Sequence, residues 1–523
     1  MRNKTQSLAS QIGRASAVIM IWSIVDKILA VGKEMLTAHR FGVSGSLDVF
    51  NVAQAFPGIL ILLFSSALVS AFVPLYLEWQ NRWSSQEADS HATWLIFLTA
   101  AFFAVLALIC FFLSPVIIHS IGYGFGPEEK KMGIIMERLL SLLIFIDGAG
   151  ILFRGILHAG KMFFHLYVAP ILVNITIIFF LYYDMGLDIY VLVWGFLIGT
   201  LLKTIYMGVA LRHEGFSFGT PIPFDRKKVT SLWFLAIPFL GSSLISNSNL
   251  LVDQAMATQL PAGSVSTLRY AFRIYTLPIQ VVIIAISSAI FPFISDEVAA
   301  GRRDSLQNIF KYAFIFLGFL TIPITCLMVL FSEDIVILML KRGAFDLGAA
   351  QQTAQTLVCY SLGLFFYAYT FINGTFFTAL QNTKALLHMG IVSIFLNVLL
   401  NILFMHFLGV QGIALSTSVT MGIISIWFIF LLKKNLGITN LSRTFSSFSR
   451  MILAAAGMLG TALIIVKLFQ VASISRFISV PVAAAVSSVC YLGIIWMFRT
   501  ADLDTCITIL TNKISVWKKA RFR

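Results

Sequence analysis

Apolar residues run through this chain in long, nearly unbroken stretches separated by short polar links. A bilayer core of about 30 Å needs roughly 20 helical residues, and the stretches reach that length. They predict fourteen spans, near 15–40, 48–77, 93–121, 133–157, 163–183, 189–211, 230–257, 266–294, 308–332, 352–379, 385–407, 411–433, 449–470 and 477–498. The longest links are 78–92, 212–229, 333–351 and 434–448, so no added soluble domain fits between spans. The expected fold class is an all-α polytopic membrane protein of about fourteen transmembrane helices.

Composition removes the alternatives. Of 523 residues, 59% are hydrophobic and 11% charged, whereas soluble domains carry about 25% charged residues. Several water-covered surfaces cannot be built from so few charges, and disorder is excluded for the same reason. The formal charge of +14 would suggest nucleic acid in a soluble chain. Here the basic residues fall in alternate links instead. With the N-terminus in the cytoplasm, the inside segments hold Arg82, Arg154, Lys161, Arg212, Arg226, Lys227, Lys228, Arg302, Arg303, Lys384, Lys433 and Arg450 among others. The outside segments hold only Arg40, Lys130, Lys131, Lys341, Arg342, Lys467 and Arg476. That bias predicts an even number of spans with both termini cytoplasmic, and no nucleic-acid partner. The N-terminus reads as a first membrane helix rather than a cleaved signal. The cysteines are scattered with no CxxC pair, which argues against a disulfide framework or a zinc site. The tail 500–523 alternates apolar and basic residues, the pattern of an interfacial helix or of a solvated basic end.

The chain also repeats. Pro57 followed by Ser65-Ser66-Ala67 recurs as Pro278 followed by Ser287-Ser288-Ala289, and Lys161 with Asn174 recurs as Lys384 with Asn397. Both offsets lie near 222 residues, or six helices. An even shift makes the copies parallel, an architecture typical of transporters. Two six-helix lobes, 1–212 and 213–436, are expected, followed by two extra helices in 437–499 and the basic tail 500–523.

Polar residues inside spans carry the candidate chemistry. On the first helix, Ser23, Asp26, Lys27, Ala30, Lys33, Glu34 and Thr37 fall on one stripe at 100° per residue. A charge near the bilayer midplane costs at least ~3 kcal/mol by insertion scales, so the stripe must face protein or water. It forms either internal ion pairs or one wall of a charged cavity. On the eighth span, Arg269, Arg273 and Gln280 share a face. Cations contributed by both halves suit an anionic ligand, since arginine forks and lysine point charges both bind phosphate. Arg269, nearer the outer end, can alternatively snorkel. A second polar set comprises Asn249 and Asp253 on the seventh span, Asn397 and Asn401 on the eleventh, and Ser416 and Thr417 on the twelfth. Its oxygens suit Na⁺ or a proton, or equally interhelical hydrogen bonds. Gly155 to Lys161 fits a GxxxxGK phosphate loop but lacks the following Ser or Thr and any preceding strand. Gly195 and Gly199 form a GxxxG packing pair.

Several motifs together resemble the MviN/MurJ family of lipid II flippases. They are Asp48-Val-Phe-Asn-Val-Ala with Phe56-Pro57, Ser70-Ala-Phe-Val-Pro74, Ala169-Pro-Ile-Leu-Val-Asn174 and Gly263-Ser-Val-Ser266. Tyr270-Ala-Phe-Arg273 with Leu277-Pro278, Arg342-Gly-Ala-Phe-Asp346 and Gly412-Ile-Ala-Leu-Ser-Thr417 complete the set. The resemblance spans essentially the whole chain in the same order. It implies a fourteen-helix transporter of the multidrug/oligosaccharidyl-lipid/polysaccharide exporter superfamily, not an enzyme, in the bacterial inner membrane. A cationic central cavity is implied, with helices 13 and 14 forming a groove for the polyprenyl tail. Family cavity arginines correspond to Lys27, Lys33 and Arg273, and an aspartate to Glu34. The family's basic residues after Pro57 are replaced by Gly58-Ile-Leu-Ile-Leu62.

The resulting expectation is a flippase for an undecaprenyl-pyrophosphate-linked saccharide, most simply lipid II. Lys27, Lys33 and Arg273 would hold the pyrophosphate, with Arg269 on the same face. Glu34 and Asp48 would order the lysines or meet the head group. Asp253, Asn397, Asn401 and Thr417 form the candidate Na⁺ or H⁺ site. No cofactor is expected beyond a coupling ion or the membrane potential. The expected partners are the lipid-linked substrate, membrane lipids and peptidoglycan polymerases. Export of another polyprenyl-linked oligosaccharide or a small drug is the competing transport reading. A polyprenyl-sugar polymerase would need an acid-rich outer loop, which 333–351 does not supply, and a scaffold would not need intramembrane charge.

Overall fold

The computed structural model describes residues 2–183, 186–219, 248–436 and 442–498, with side chains from Val18 onward. The tail 500–523, the link from 220 to 229 and the first part of the seventh span lie outside the described residues. Among the described residues there is no strand. The elements up to the first long loop are α1 (Arg2–Phe41), α2 (Gly45–Arg82), α3 (Ser85–Ile121), α4 (Pro127–Ala149), α5 (Ile151–Ala159), α6 (Phe163–Tyr182) and α7 (Tyr190–His213).

Ten helices among the described residues are long and apolar enough to cross a membrane, with α4 and α5 together making one of them. Two bent pairs add one span each: Ser264–Ile283 with Ile286–Ala299, and Leu347–Ser361 with Leu364–Ala379. That gives twelve. Of the other two expected spans, α1 is a single long helix whose charges set it apart, and 230–257 is described only from residue 248. The count of fourteen therefore remains the expectation from the sequence.

The chain divides into two compact units. One takes the chain up to Ser266 together with Arg342–Asp346, and the other takes Thr267–Lys341 and the chain from Leu347. The lobes expected at 1–212 and 213–436 follow the sequence repeat, whereas this division falls inside the helix Ser264–Pro278.

In the first unit, Phe72, Tyr76, Trp79, Phe103, Ile144 and Leu152 form a buried core under α2 to α5. Buried Asp89 accepts from Tyr76 Oη at 2.7 Å and from the Ser217 backbone N–H at 2.9 Å, tying the segment after α7 to α2 and α3. Gly195 and Gly199 let α7 press on α6. A Cβ at Gly199 would lie 2.9 Å from Val173 Cα, and one at Gly195 3.1 Å from Ile177 Cα. The GxxxG pair is thus a packing seam. Within this unit the loop Arg342–Asp346 docks on the end of α1: Ala344 N–H donates to His39 O at 2.8 Å. Gly42 has φ +57, and a Cβ there would sit 2.4 Å from Ala344 O, so glycine is required for this approach.

In the second unit, the helices Arg303–Leu330, Ser442–Val471 and Arg476–Met497 pack around Ile315, Met451, Met458 and Tyr491. Tyr491 Oη donates to Phe319 O at 3.1 Å.

Two helices of the repeated segments end in the same way. After α5, Gly160 N–H donates to Ile156 O, Lys161 N–H to His158 O and Met162 N–H to Leu157 O, with Lys161 at φ 58. After Leu364–Ala379, Leu380 donates to Phe376 O, Gln381 to Thr378 O and Asn382 to Phe377 O, with Gln381 at φ 54. These are the same helix-ending motif with a left-handed residue. The same turn also follows Ser442–Val471, where Ser473 has φ 54, so it does not by itself fix which residues of the two copies correspond.

Candidate functional site

The charged stripe of α1 is a set of close pairs within the first unit. Lys27 Nζ lies 3.5 Å from Asp26 Oδ2, and Lys33 Nζ lies 3.4 Å from Glu34 Oε1. Asn174, a repeat marker and part of a family motif in the sequence, donates to Asp26 Oδ1 at 3.0 Å. Lys33 Nζ also sits 5.4 Å from the centre of the Phe196 ring, a cation–π contact. The lysines differ in access: the Lys27 side chain is 47% exposed and that of Lys33 11%. Lys27 is thus the more open of the two, whereas Lys33 is held among protein groups. The four charges sum to zero, so α1 presents paired charge rather than a bare cationic face.

Asp48 does not touch either lysine in any resolved hydrogen bond. It is buried and accepts from Gly263 N–H at 2.7 Å, Ser266 N–H at 2.6 Å and Ser266 Oγ. Those amides are orphan donors of a helix first turn, so Asp48 caps the helix Ser264–Pro278.

Arg269 and Arg273 lie on that helix, in the second unit. Arg273 is exposed and Arg269 half-buried. A π-helical turn, Ile279–Ile283, follows directly. Such turns are frequent at functional sites.

Asp253 is buried within the helical stretch 248–257 of the first unit. Asn397, Asn401 and Thr417 belong to the second unit and form a buried ladder with Ser416. Asn401 Nδ2 donates to Asn397 Oδ1 at 3.3 Å, Asn397 Nδ2 to Thr417 Oγ1 at 3.5 Å, and Ser416 Oγ to Asn401 Oδ1. This ladder ties Thr383–Leu408 to Val410–Leu436. Among the described residues no three His, Cys, Asp or Glu side chains converge as metal ligands.

Other intramembrane charges went unread in the sequence. Asp147, at the end of α4, lies 2.7 Å from Lys203 Nζ on α7 and 3.3 Å from Arg154 Nη2 on α5. This triad pins the α4–α5 break, at Gly150, to α7. Glu137 is fully buried on α4, and Arg138 beside it donates to Ser114 Oγ at 3.1 Å and lies over Phe111. The signal was available: an ionisable residue inside an apolar span is rare and costly. It was applied to the dense cluster on α1 and not to these isolated positions.

The sequence model described as Lipid II flippase MurJ matches residues 37–484. The chain belongs to the lipid II flippase MurJ family. A probable lipid II flippase MurJ of Rhizobium tropici is 28% identical over 407 residues, covering 75% of this chain and 76% of that protein. One from Borreliella burgdorferi is 26% identical over 427 residues, covering 80% and 83%. A solved structure titled "Lipid II flippase MurJ, inward closed conformation" aligns with TM-score 0.77 at 25% identity, covering 92% of this chain and 98% of that one. An inward-facing MATE family transporter of the MOP superfamily aligns with TM-score 0.69 at 14% identity, covering 81% and 98%. That likeness shows the shared fold.

Where MurJ relatives are expected to carry basic residues after Pro57, this chain has space without charge. A Cβ on Gly58 would meet nothing within 4 Å, and Leu62 is exposed.

Proposed function

We propose that the protein moves lipid II from the cytoplasmic to the outer leaflet of the bacterial inner membrane. The family match over residues 37–484 carries the reading. The alignment with a solved MurJ over 92% of the chain supports it. The task is transport: no covalent bond is made or broken, and alternating access suits a chain built from parallel repeats. The substrate's pyrophosphate needs cations along its path. Lys27, open beside Asp26, is the first contact, and Lys33, fixed by Glu34 and Phe196, is the second. Arg273 offers a guanidinium fork for two phosphate oxygens. Glu34 and Asp26 keep the lysines from collapsing onto backbone carbonyls and give way to phosphate as it arrives. Asp48 acts at one remove, by fixing the first turn of the helix that bears Arg273.

Both termini face the cytoplasm, as the positive-inside bias favours. The polyprenyl tail runs along Ser442–Val471 and Arg476–Met497. Na⁺ or H⁺, or the membrane potential, drives the cycle, and peptidoglycan polymerases receive the product. Depletion of the gene, followed by identification of the polyprenyl-linked precursor that accumulates on the inner leaflet, tests the substrate. Accumulation of a lipid-linked saccharide other than lipid II would replace the substrate and leave the transport reading standing.

A further inference from the structure

Glu137 stands out among the ionisable side chains of the first unit. It is 0% exposed, and neither carboxyl oxygen has a hydrogen-bond partner. It lies ten residues into α4 from Pro127, about 15 Å along the helix at 1.5 Å per residue. Its surroundings, Met136, Leu140, Gly133 and Ser141, are equally buried. Arg138 is adjacent in sequence, so its side chain leaves the helix about 100° away and goes to Ser114 and Phe111 instead.

The helices packed on α4 are α2, α3, α5 and α7. Among the described residues, Cys110 of α3 and Arg138 are the ionisable groups whose charge acts on or feels the carboxyl. Arg154 of α5 and Lys203 of α7 are committed to Asp147. Asp48 of α2 is committed to Gly263 and Ser266. A carboxylate in such a place has neither a counter-charge in contact nor a donor, a state proteins avoid by keeping the group neutral. A hard metal cation would need several converging oxygens, and no such group of acids or histidines occurs among the described residues.

We propose that Glu137, buried where α4 packs on α3, is a proton-binding site of the first unit. The ligand is H⁺ rather than a metal. Release leaves a carboxylate, and the proton passes to water; rebinding reverses the step. This site is separate from the Asp253 set and would make the cycle sensitive to a proton gradient.

Two measurements test it on the full-length protein. The first is infrared difference spectroscopy of wild type against Glu137→Gln, an isosteric neutral change, in H₂O and D₂O. A neutral-carboxyl carbonyl band that shifts in D₂O and disappears in the variant is expected. No band lost on substitution overturns the proposal, whatever the transported lipid is. The second uses proteoliposomes with lipid II, with and without an imposed pH gradient, and so rests on the function proposed above. Wild type should respond to the gradient, while in Glu137→Gln the ratio of the two rates falls to unity with gradient-free transport retained. A variant as responsive as wild type overturns the coupling. Absence of lipid II transport in wild type, with the infrared band present, counts against the substrate and not against the proton site.

Discussion

Asp48 accepts a hydrogen bond from the backbone N–H of Ser266 at 2.6 Å, across 218 residues of sequence. Together with the Gly263 N–H at 2.7 Å, this makes a side chain of α2 the cap of the helix Ser264–Pro278. Hydrogen bonds to a charged group contribute about 1.5–3 kcal/mol each. Asp48→Ala should therefore lower thermal stability clearly, and Ser266→Ala, which spares both backbone donors, should be mild. A melting temperature equal to wild type in Asp48→Ala would show that the cap is dispensable.

The Asp147 triad predicts a strong asymmetry. Removing Asp147 leaves Lys203 and Arg154 facing each other in a buried place, and breaking such a pair costs about 3–5 kcal/mol. Asp147→Ala should expose this as loss of folded protein in membranes. Asp147→Leu combined with Lys203→Met should recover part of it, because the charge is removed with its partner. Expression and detergent melting curves of the single and double variants read the difference directly.

Substrate contacts should sort by chemistry rather than by charge alone. One lost charge-assisted contact weakens lipid II binding by roughly ten- to hundredfold. Lys27→Ala should behave this way with stability intact, because the side chain is half exposed. Lys33→Ala should lose both binding and stability, since its ammonium is also held by Glu34 and Phe196. Arg273→Lys should restore only part of the function lost in Arg273→Ala, because a point charge cannot replace a fork. Arg269→Ala is the mild control. Complementation of a depleted strain, with membrane levels checked, measures all five variants. Full growth of Arg273→Ala combined with Lys33→Ala would remove both from the binding set.

Two glycines should respond in opposite ways. At Gly58 a side chain meets open space, so Gly58→Arg should insert and fold normally and tighten lipid II binding. At Gly199 a Cβ meets the Val173 backbone at 2.9 Å, so Gly199→Val should cost about 1–3 kcal/mol through overpacking. Parallel melting curves separate them. A Gly58→Arg protein as unstable as Gly199→Val would mean that the Gly58 face is not open to water.

The coupling-ion question has its own test. If Asp253, Asn397, Asn401 and Thr417 bind a cation, transport or stability should depend on Na⁺ in the wild type and lose that dependence in Asp253→Asn. A wild type indifferent to Na⁺ leaves the asparagine ladder as interhelical hydrogen bonding, which its internal contacts already satisfy.

The sequence by itself determined what depends on local rules. Helix length, apolar run and loop charge follow from bilayer thickness and from the cost of unpaired backbone groups in lipid, both readable along a single strand of text. The repeat was legible too, as two motif pairs that share one offset. The stripe on α1 was legible because 100° per residue places its charges on one side without reference to any other helix. Tertiary structure decided which partner each charge has. Asp48 reads as a ligand candidate in the sequence and is a helix cap in the fold. Lys27 and Lys33 read alike and differ in exposure and in neighbours. Asp147, Arg154 and Lys203 mean little singly and form one triad together, while Glu137 is fully buried with no hydrogen-bond partner for either carboxyl oxygen. The energy of a charge depends on its distance to other charges and to water, and those distances are set by helices brought together from far apart in the chain.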